Sequence, residues 1–176
     1  DKSLALWKSD GTLQQVIGTT YKPGEGGHWV QSVAWTPDRA HFITAHWDER
    51  IVVWNATGSI RARIQTPSKI VMAMDVSPNG TRLAVGTGDG FVHVYTLDGQ
   101  LVTTFNAQSP IDCIAFAPDG ERILSGGFDR RVSVWNIKNK IRGRTFGPVK
   151  DRVNTLAISP DGKNVVTGSN YGEVKL

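Results

Sequence analysis

The chain is poor in the residues that mark a disulfide scaffold, a metal protein or a membrane protein. Its 176 residues hold one cysteine, Cys113, so no internal disulfide can form; a reducing compartment is compatible, and the expected location is cytoplasmic. No stretch approaches the ~20 consecutive apolar residues of a spanning helix, no signal-like start is visible, and no membrane partner is expected. His28, His41, His46 and His93 show no metal-ligand spacing, so neither a metal nor a cofactor is expected. His41 and His46 bracket a short apolar run, which places them at the surface. No nucleophile, base and orienting acid can be assembled, so no catalytic residue is named and the chain is not expected to be an enzyme. An excess of one charge is also lacking: the net charge is +4, which bears on solubility and encounter rate rather than on fold. No window has a helical period.

What the chain does have is turns and large aromatic groups. Nineteen glycines, eight prolines and six tryptophans point to an all-β protein. A proline preceded by a small or hydroxyl residue and followed by Asp or Asn recurs at Pro37, Pro78, Pro118 and Pro160, at intervals of 41, 40 and 42 residues. A second series, Trp7, Trp54, Tyr95, Trp135 and Leu176, keeps step at 47, 41, 40 and 41 residues. The longer first interval is accounted for by a Gly-rich insertion around residues 23–27. A third series, Asp1, Asp48, Asp89, Asp129 and Asn170, stands six residues before each member of the second. Three series in one register at a period of about 40–45 residues are the mark of four-stranded propeller blades.

Each marker proline presets φ at the second position of a turn, and the Asp or Asn suits the next. Gly80, Gly120 and Gly162 then close three of these turns, where φ is often positive; Arg39 stands in that place in the first, which implies a different turn shape or some strain. Innermost strands are expected over 30–35, 71–76, 111–116 and 153–158. Second strands follow at 42–44, 83–85, 123–125 and 165–167, and third strands at 51–54, 91–95 and 132–135. Short turns at Asp10-Gly11, Thr57-Gly58, Asp98-Gly99 and Lys138-Asn139 lead into outermost strands, and Asp-Gly between strand-like runs is a strong hairpin signal. The organisation is one segment, residues 1–176, with a partial blade at 1–18, full repeats at 28–65, 69–106 and 109–147, and a partial blade at 151–176. Strands this short are not stable alone, so the blades must stack.

On these residues the chain resembles the WD40 repeat family over essentially its whole length. The carrying features are the Pro-Asp/Asn-Gly turns, the Gly-x-x-Asp stretches at 86–89 and 126–129, and the third-strand aromatic six residues later. The resemblance implies an all-β, WD40-type propeller of four blade-equivalents of four antiparallel strands. It also implies a hydrogen-bond network of His, Ser/Thr, Asp and Trp in each blade. Thr44, Asp48 and Trp54 supply its last three members in one blade, and Ser125, Asp129 and Trp135 in another. Val85 and Tyr95, with Asp89 between them, break it in the blade between. The family's His before the inner strand is absent, with Gly26, Pro67, Ala107 and Val149 nearest that place.

The resemblance further implies that one rim binds partners through three positions per blade. Just before the inner-strand position stand Trp29, Ile70, Pro110 and Arg152; just after it, Gln31, Met72, Asp112 and Asn154; before the turn Asp or Asn, Trp47, Gly88, Phe128 and Ser169. Trp29, Trp47, Ile70, Met72 and Phe128 give this rim an aromatic and aliphatic character suited to anchoring a protein or peptide, with Arg152 as a charged neighbour. The bland alternative is that Trp47 and Phe128 only cover their turns. The function implied is a non-catalytic scaffold for protein-protein or protein-peptide interaction.

Two other functions compete. One is a ligand-sensing propeller domain appended to an effector enzyme. The other is nucleic-acid binding through a basic outer strand, since Lys138, Lys140, Arg142, Arg144, Lys150 and Arg152 cluster, with Arg61 and Arg63 equivalent in an earlier blade. These basic residues alternate with Ile60, Ile64, Ile141 and Phe146 as a half-buried strand allows, so a solvated outer face is the favoured reading and nucleic acid is not an expected partner. The stretch 86–90 looks like a phosphate loop, but a strand-like run follows it where a helix is required, so it reads as a turn. Finally, the chain begins and ends at third strands. Either it is part of a longer propeller, or two copies self-associate as a homodimer into a closed eight-bladed ring. The duplicated third strand weighs against a clean join.

Overall fold

The computed structural model describes residues 3–18, 29–47, 49–67, 70–170 and 174–175. The Gly-rich stretch 23–27, the markers Asp1, Asp48 and Leu176, and His28 lie outside the described residues. Every regular element among the described residues is a strand. β1 (Ser3–Trp7) and β2 (Leu13–Gly18) form a first, two-stranded sheet. β3 (Val30–Trp35), β4 (His41–His46), β5 (Arg50–Asn55) and β6 (Ile60–Gln65) form the second. The third holds β7 (Val71–Val76), β8 (Arg82–Thr87), β9 (Phe91–Thr96) and β10 (Leu101–Asn106). β11 (Ile111–Phe116), β12 (Arg122–Gly127), β13 (Val132–Asn136) and β14 (Ile141–Phe146) make the fourth, and β15 (Val153–Ile158), β16 (Val165–Ser169) and β17 (Val174–Lys175) the fifth. Each sheet is an antiparallel meander in chain order, as propeller blades are.

Burial explains why the sheets group. Central strands are buried on both faces: β5 and β9 each keep four consecutive buried residues, and β4 and β8 five. A strand of one isolated sheet would alternate, as the outer strand β6 does. Ile17 is buried with Phe42, Val52 and Trp54 between the first and second sheets, and Leu4 and Leu6 pack against them. Ile43, Ile51 and Val53 meet Val71, Leu83 and Val85 between the second and third. Val92, Val94 and Phe105 meet Ile123 and Trp135 between the third and fourth, and Leu124 and Val132 meet Val153 between the fourth and fifth. Each of these large apolar side chains contributes roughly 1.5–3 kcal/mol on burial. Each of the four apolar clusters draws its side chains from two neighbouring sheets, so the cores are shared between sheets.

Two features set the spacing. A Cβ on Gly86 would fall 2.4 Å from Ile111 Cγ2, and one on Gly126 would fall 2.7 Å from Val153 Cγ1, so the next inner strand occupies the space a side chain would need. The proline turns keep one shape throughout: Gly80, Gly120 and Gly162 have φ of 68°, 67° and 70°, and Arg39 adopts 61°. The Arg39 N–H donates to the Thr36 carbonyl at 2.9 Å, as the glycine N–H groups do in the other turns. The shape is therefore retained and Arg39 carries the strain, about 1–3 kcal/mol for such a residue.

Candidate protein-binding rim

The start of each inner strand is irregular in the same way. Pairing with the second strand shifts register between Val30 and Ser32, Val71 and Ala73, Ile111 and Cys113, and Val153 and Thr155. The skipped residues are Gln31, Met72, Asp112 and Asn154. A bulge re-aims the side chain that it carries, and bulges concentrate beside functional sites. On either side of this bulge the chain is tied across the sheet. Trp47 N–H donates to the Trp29 carbonyl at 3.0 Å, Gly88 N–H to Ile70 at 3.0 Å, and Phe128 N–H to Pro110 at 3.2 Å. The three positions of each blade therefore converge at one edge of the sheet, opposite the proline turns.

The side chains there differ from blade to blade. On the second sheet Trp29 and Trp47 are 67% and 45% exposed, and their rings meet edge to face, 6.3 Å apart at 62°. Gln31 is exposed beside them. The third sheet presents half-buried Ile70 and Met72, and Ile70 holds φ of 54°, an outlier for a β-branched residue. A Cβ on Gly88 would meet Ile70 Cβ at 3.7 Å and Met72 Cγ at 3.8 Å, so this blade has a notch floored by those two where its neighbours carry Trp47 and Phe128. On the fourth sheet Phe128 is 50% exposed, and the Arg152 guanidinium of the fifth lies 5.0 Å over its ring. Burial pushes the Asp112 carboxyl up, and the Arg152 charge opposes that. Asn154 Nδ2 donates to Asn170 Oδ1.

The structural markers are interior or in turns. Trp54 Nε1 donates to Thr44 Oγ1 at 3.0 Å, and Trp135 Nε1 to Ser125 Oγ at 2.8 Å. The Tyr95 hydroxyl is buried with no hydrogen-bond partner, and burial pushes it up to about 12. Asp89 accepts from the Thr87 hydroxyl at 2.6 Å, and Asp129 from the Arg131 N–H at 3.0 Å. Asp48 lies outside the described residues. His46 corrects an expectation: it is buried, not at the surface, with Nε2 2.9 Å from Thr44 Oγ1. It stands against the hydroxyl that also receives the indole, because both faces of β4 are covered by neighbouring sheets.

The basic outer-strand residues have partners of their own. Arg142 donates to Ser133 Oγ at 2.7 Å and lies 5.2 Å over Trp135, Arg144 lies 6.0 Å over Phe146, and Arg61 bonds Asp98 at 2.9 Å. The stretch 86–90 is a β8–β9 hairpin, with Gly90 at φ 88° and its N–H bonded to the Thr87 carbonyl at 3.1 Å. Among the described residues no three His, Cys, Asp or Glu side chains group to hold a metal, and no helix is long and apolar enough to cross a membrane. Sequence reasoning missed the bulges, the strained Ile70 and the Arg152–Phe128 stack. The Ile70 signal was faint, a β-branched residue where the chain must turn, and the stack joins residues of different sheets.

Comparison with known proteins agrees with this geometry. The family model described as WD domain, G-beta repeat matches four times, over residues 17–55, 58–96, 99–136 and 141–176. Each matched unit begins at or next to the outermost strand of one sheet and ends with the third strand of the next. A guanine nucleotide-binding protein subunit beta from Arabidopsis thaliana is 29% identical over 150 residues, covering 77% of this chain and 40% of that protein. A 66 kDa stress protein from Physarum polycephalum is 33% identical over 102 residues, 53% of this chain and 16% of the relative. Actin-interacting protein 1-2 from Arabidopsis thaliana is 30% identical over 105 residues, 57% and 17% respectively. The chain thus spans well under two thirds of the length of these relatives.

Proposed function

Because the chain belongs to the WD40 repeat family, we propose that it is a non-catalytic scaffold holding another protein or a peptide on the rim that carries Trp29, Gln31, Trp47, Ile70, Met72, Asp112, Phe128 and Arg152. One observation carries this reading. Trp29, Trp47 and Phe128 stay exposed along one edge, while the interior aromatics Trp54, Tyr95 and Trp135 are buried. Exposed aromatics on a rigid frame lose little conformational entropy on binding and serve as anchors. The strained Ile70 supports the same place, since strain gathers at ligand clamps. The name of one relative, an actin-interacting protein, is consistent with protein partners for the family.

The test is capture of partners by the chain and by the double variant Trp29→Ala/Trp47→Ala, with thermal unfolding as a control for fold. Both indoles are surface groups, so the variant keeps its unfolding midpoint while partner affinity falls at least about tenfold, as for loss of two anchors. Undiminished capture by the folded variant rejects the rim.

A second reading rests on the open side of the first sheet. Val33 and Trp35 on β3 are 63% and 49% exposed beside a cavity of about 240 Å³ that is also lined by Leu4, Leu6, Ile17 and Phe42. Two inner strands next to β1 would fill it. Either further repeats of a longer chain or β15 and β16 of a second copy have the right form, and the second arrangement closes an eight-bladed ring. Light scattering separates them: twice the chain mass supports the ring of two, and a well-behaved monomer rejects it.

A further inference from the structure

Three buried side-chain polar atoms among the described residues have no hydrogen-bond partner, and two of them, Asp112 Oδ2 and Arg152 Nε, belong to the seam between the fourth and fifth sheets. Native structures leave few such atoms, and each calls for an explanation. One of these is an acceptor and the other a donor. Both belong to the rim: Asp112 rides on the β11 bulge, and Arg152 immediately precedes β15. They form no ion pair with each other, although the Arg152 charge is felt at Asp112. The Arg152 backbone N–H is held by Asp151 Oδ1 at 2.7 Å, which fixes where its side chain starts, and the guanidinium lies on the half-exposed Phe128 ring.

We propose that this seam is a subsite for a primary carboxamide, the side chain of an asparagine or glutamine in the partner, whose NH2 donates to Asp112 Oδ2 and whose carbonyl accepts from Arg152 Nε. The inference rests on the rim being the partner-binding edge. Among charged groups and amides the choice follows from elimination. An ammonium answers Asp112, leaves Arg152 Nε unpaired and adds a second cation beside the guanidinium. A carboxylate answers Arg152 but repels Asp112. A trans backbone amide points its N–H and C=O in opposite directions, whereas a primary carboxamide presents a donor and an acceptor on one edge. Both atoms are buried in the free chain, so binding requires the Arg152 side chain to move off the half-exposed Phe128 ring as the flat amide binds.

The probe is a random-peptide display library selected on the intact chain, followed by affinity measurements on the selected peptides. Selected peptides are expected to share an asparagine or glutamine. Changing that residue to Glu or Met is expected to weaken binding about ten- to hundredfold, the usual loss when a charge-assisted bond is left unmade. The same change is expected to cost almost nothing against Asp112→Ala or Arg152→Met, because the two effects are coupled. Peptides that depend on Trp29 and Trp47 but need no carboxamide overturn the subsite and leave the rim standing. Peptides indifferent to both Trp29→Ala/Trp47→Ala and Asp112→Ala overturn both. A library with no Asp112-dependent peptide overturns the subsite, as does an Asp112→Ala variant that alters unfolding without altering peptide affinity, the mark of a bridging water.

Discussion

In the second and fourth sheets an indole N–H on the third strand donates to a hydroxyl on the second strand, Trp54 to Thr44 and Trp135 to Ser125. In the third sheet the same two places hold Tyr95 and Val85, equally buried and with no bond between them. That sheet uses polar contacts of another kind. His93 Nδ1 lies 2.9 Å from Thr104 Oγ1 on the outer strand. Asp75 stands where the other inner strands have Ala34, Ala115 and Ala157, and it reaches across to the next sheet: its Oδ2 accepts from the Phe116 N–H at 2.7 Å and its Oδ1 from the Val76 N–H at 2.9 Å. The difference teaches that the apolar stack between sheets is the common requirement, and that the polar network is a local addition one blade can lose.

The sharpest way to break this comparison is to make one substitution in both blades. Trp135→Phe removes the indole N–H, leaves the buried Ser125 hydroxyl without its partner, and shrinks a fully packed ring. A loss of about 2–3 kcal/mol in urea unfolding is expected. Tyr95→Phe removes a buried hydroxyl that has no partner, so the chain is expected to gain up to about 1 kcal/mol. Equal losses at the two sites would show that Tyr95 has a bond of its own and would erase the contrast.

The smallest effect is pH-dependent and is read at Asp75 of the third sheet. Burial pushes the Asp75 carboxyl above its ordinary value, opposed by the N–H groups of Phe116 and Val76. A carboxyl with a raised value binds its proton more tightly in the fold than in the unfolded chain. Its stabilising contribution is therefore complete below the ordinary value of 3.8 and is lost as pH rises through the folded value. Turn carboxylates such as Asp38 and Asp161 act oppositely, held down by hydroxyl and backbone donors. The informative quantity is thus the difference in urea midpoint between the chain and Asp75→Asn. That difference should move against the chain as pH rises from just below 4, and a flat difference would remove Asp75 from the account.

Much of the fold was legible because its determinants are local. The inner strands Val30–Trp35, Val71–Val76, Ile111–Phe116 and Val153–Ile158 coincide with the expected runs, since proline turns fix where each ends. What escaped depends on neighbours distant in sequence. His46 is interior only because sheets lie against both faces of β4, and the bulges at Gln31, Met72, Asp112 and Asn154 follow from strand pairing. Arg39 was ambiguous from sequence because the penalty for positive φ has to be weighed against the turn's hydrogen bonds: Thr36 Oγ1 to Asp38 at 2.5 Å and Ala40 N–H to Asp38 at 2.9 Å hold the shape. The rim positions came only through the family resemblance; nothing in their spacing marks them.

The central claim is that adjacent sheets share their cores, and amide hydrogen exchange on Ile123→Ala tests it most directly. Ile123 is fully buried among side chains of both the third and fourth sheets. The cavity should cost about 2–5 kcal/mol and lower protection in β7–β10 and β11–β14 together. A loss confined to β11–β14, with the third sheet keeping its full protection, would contradict the shared core.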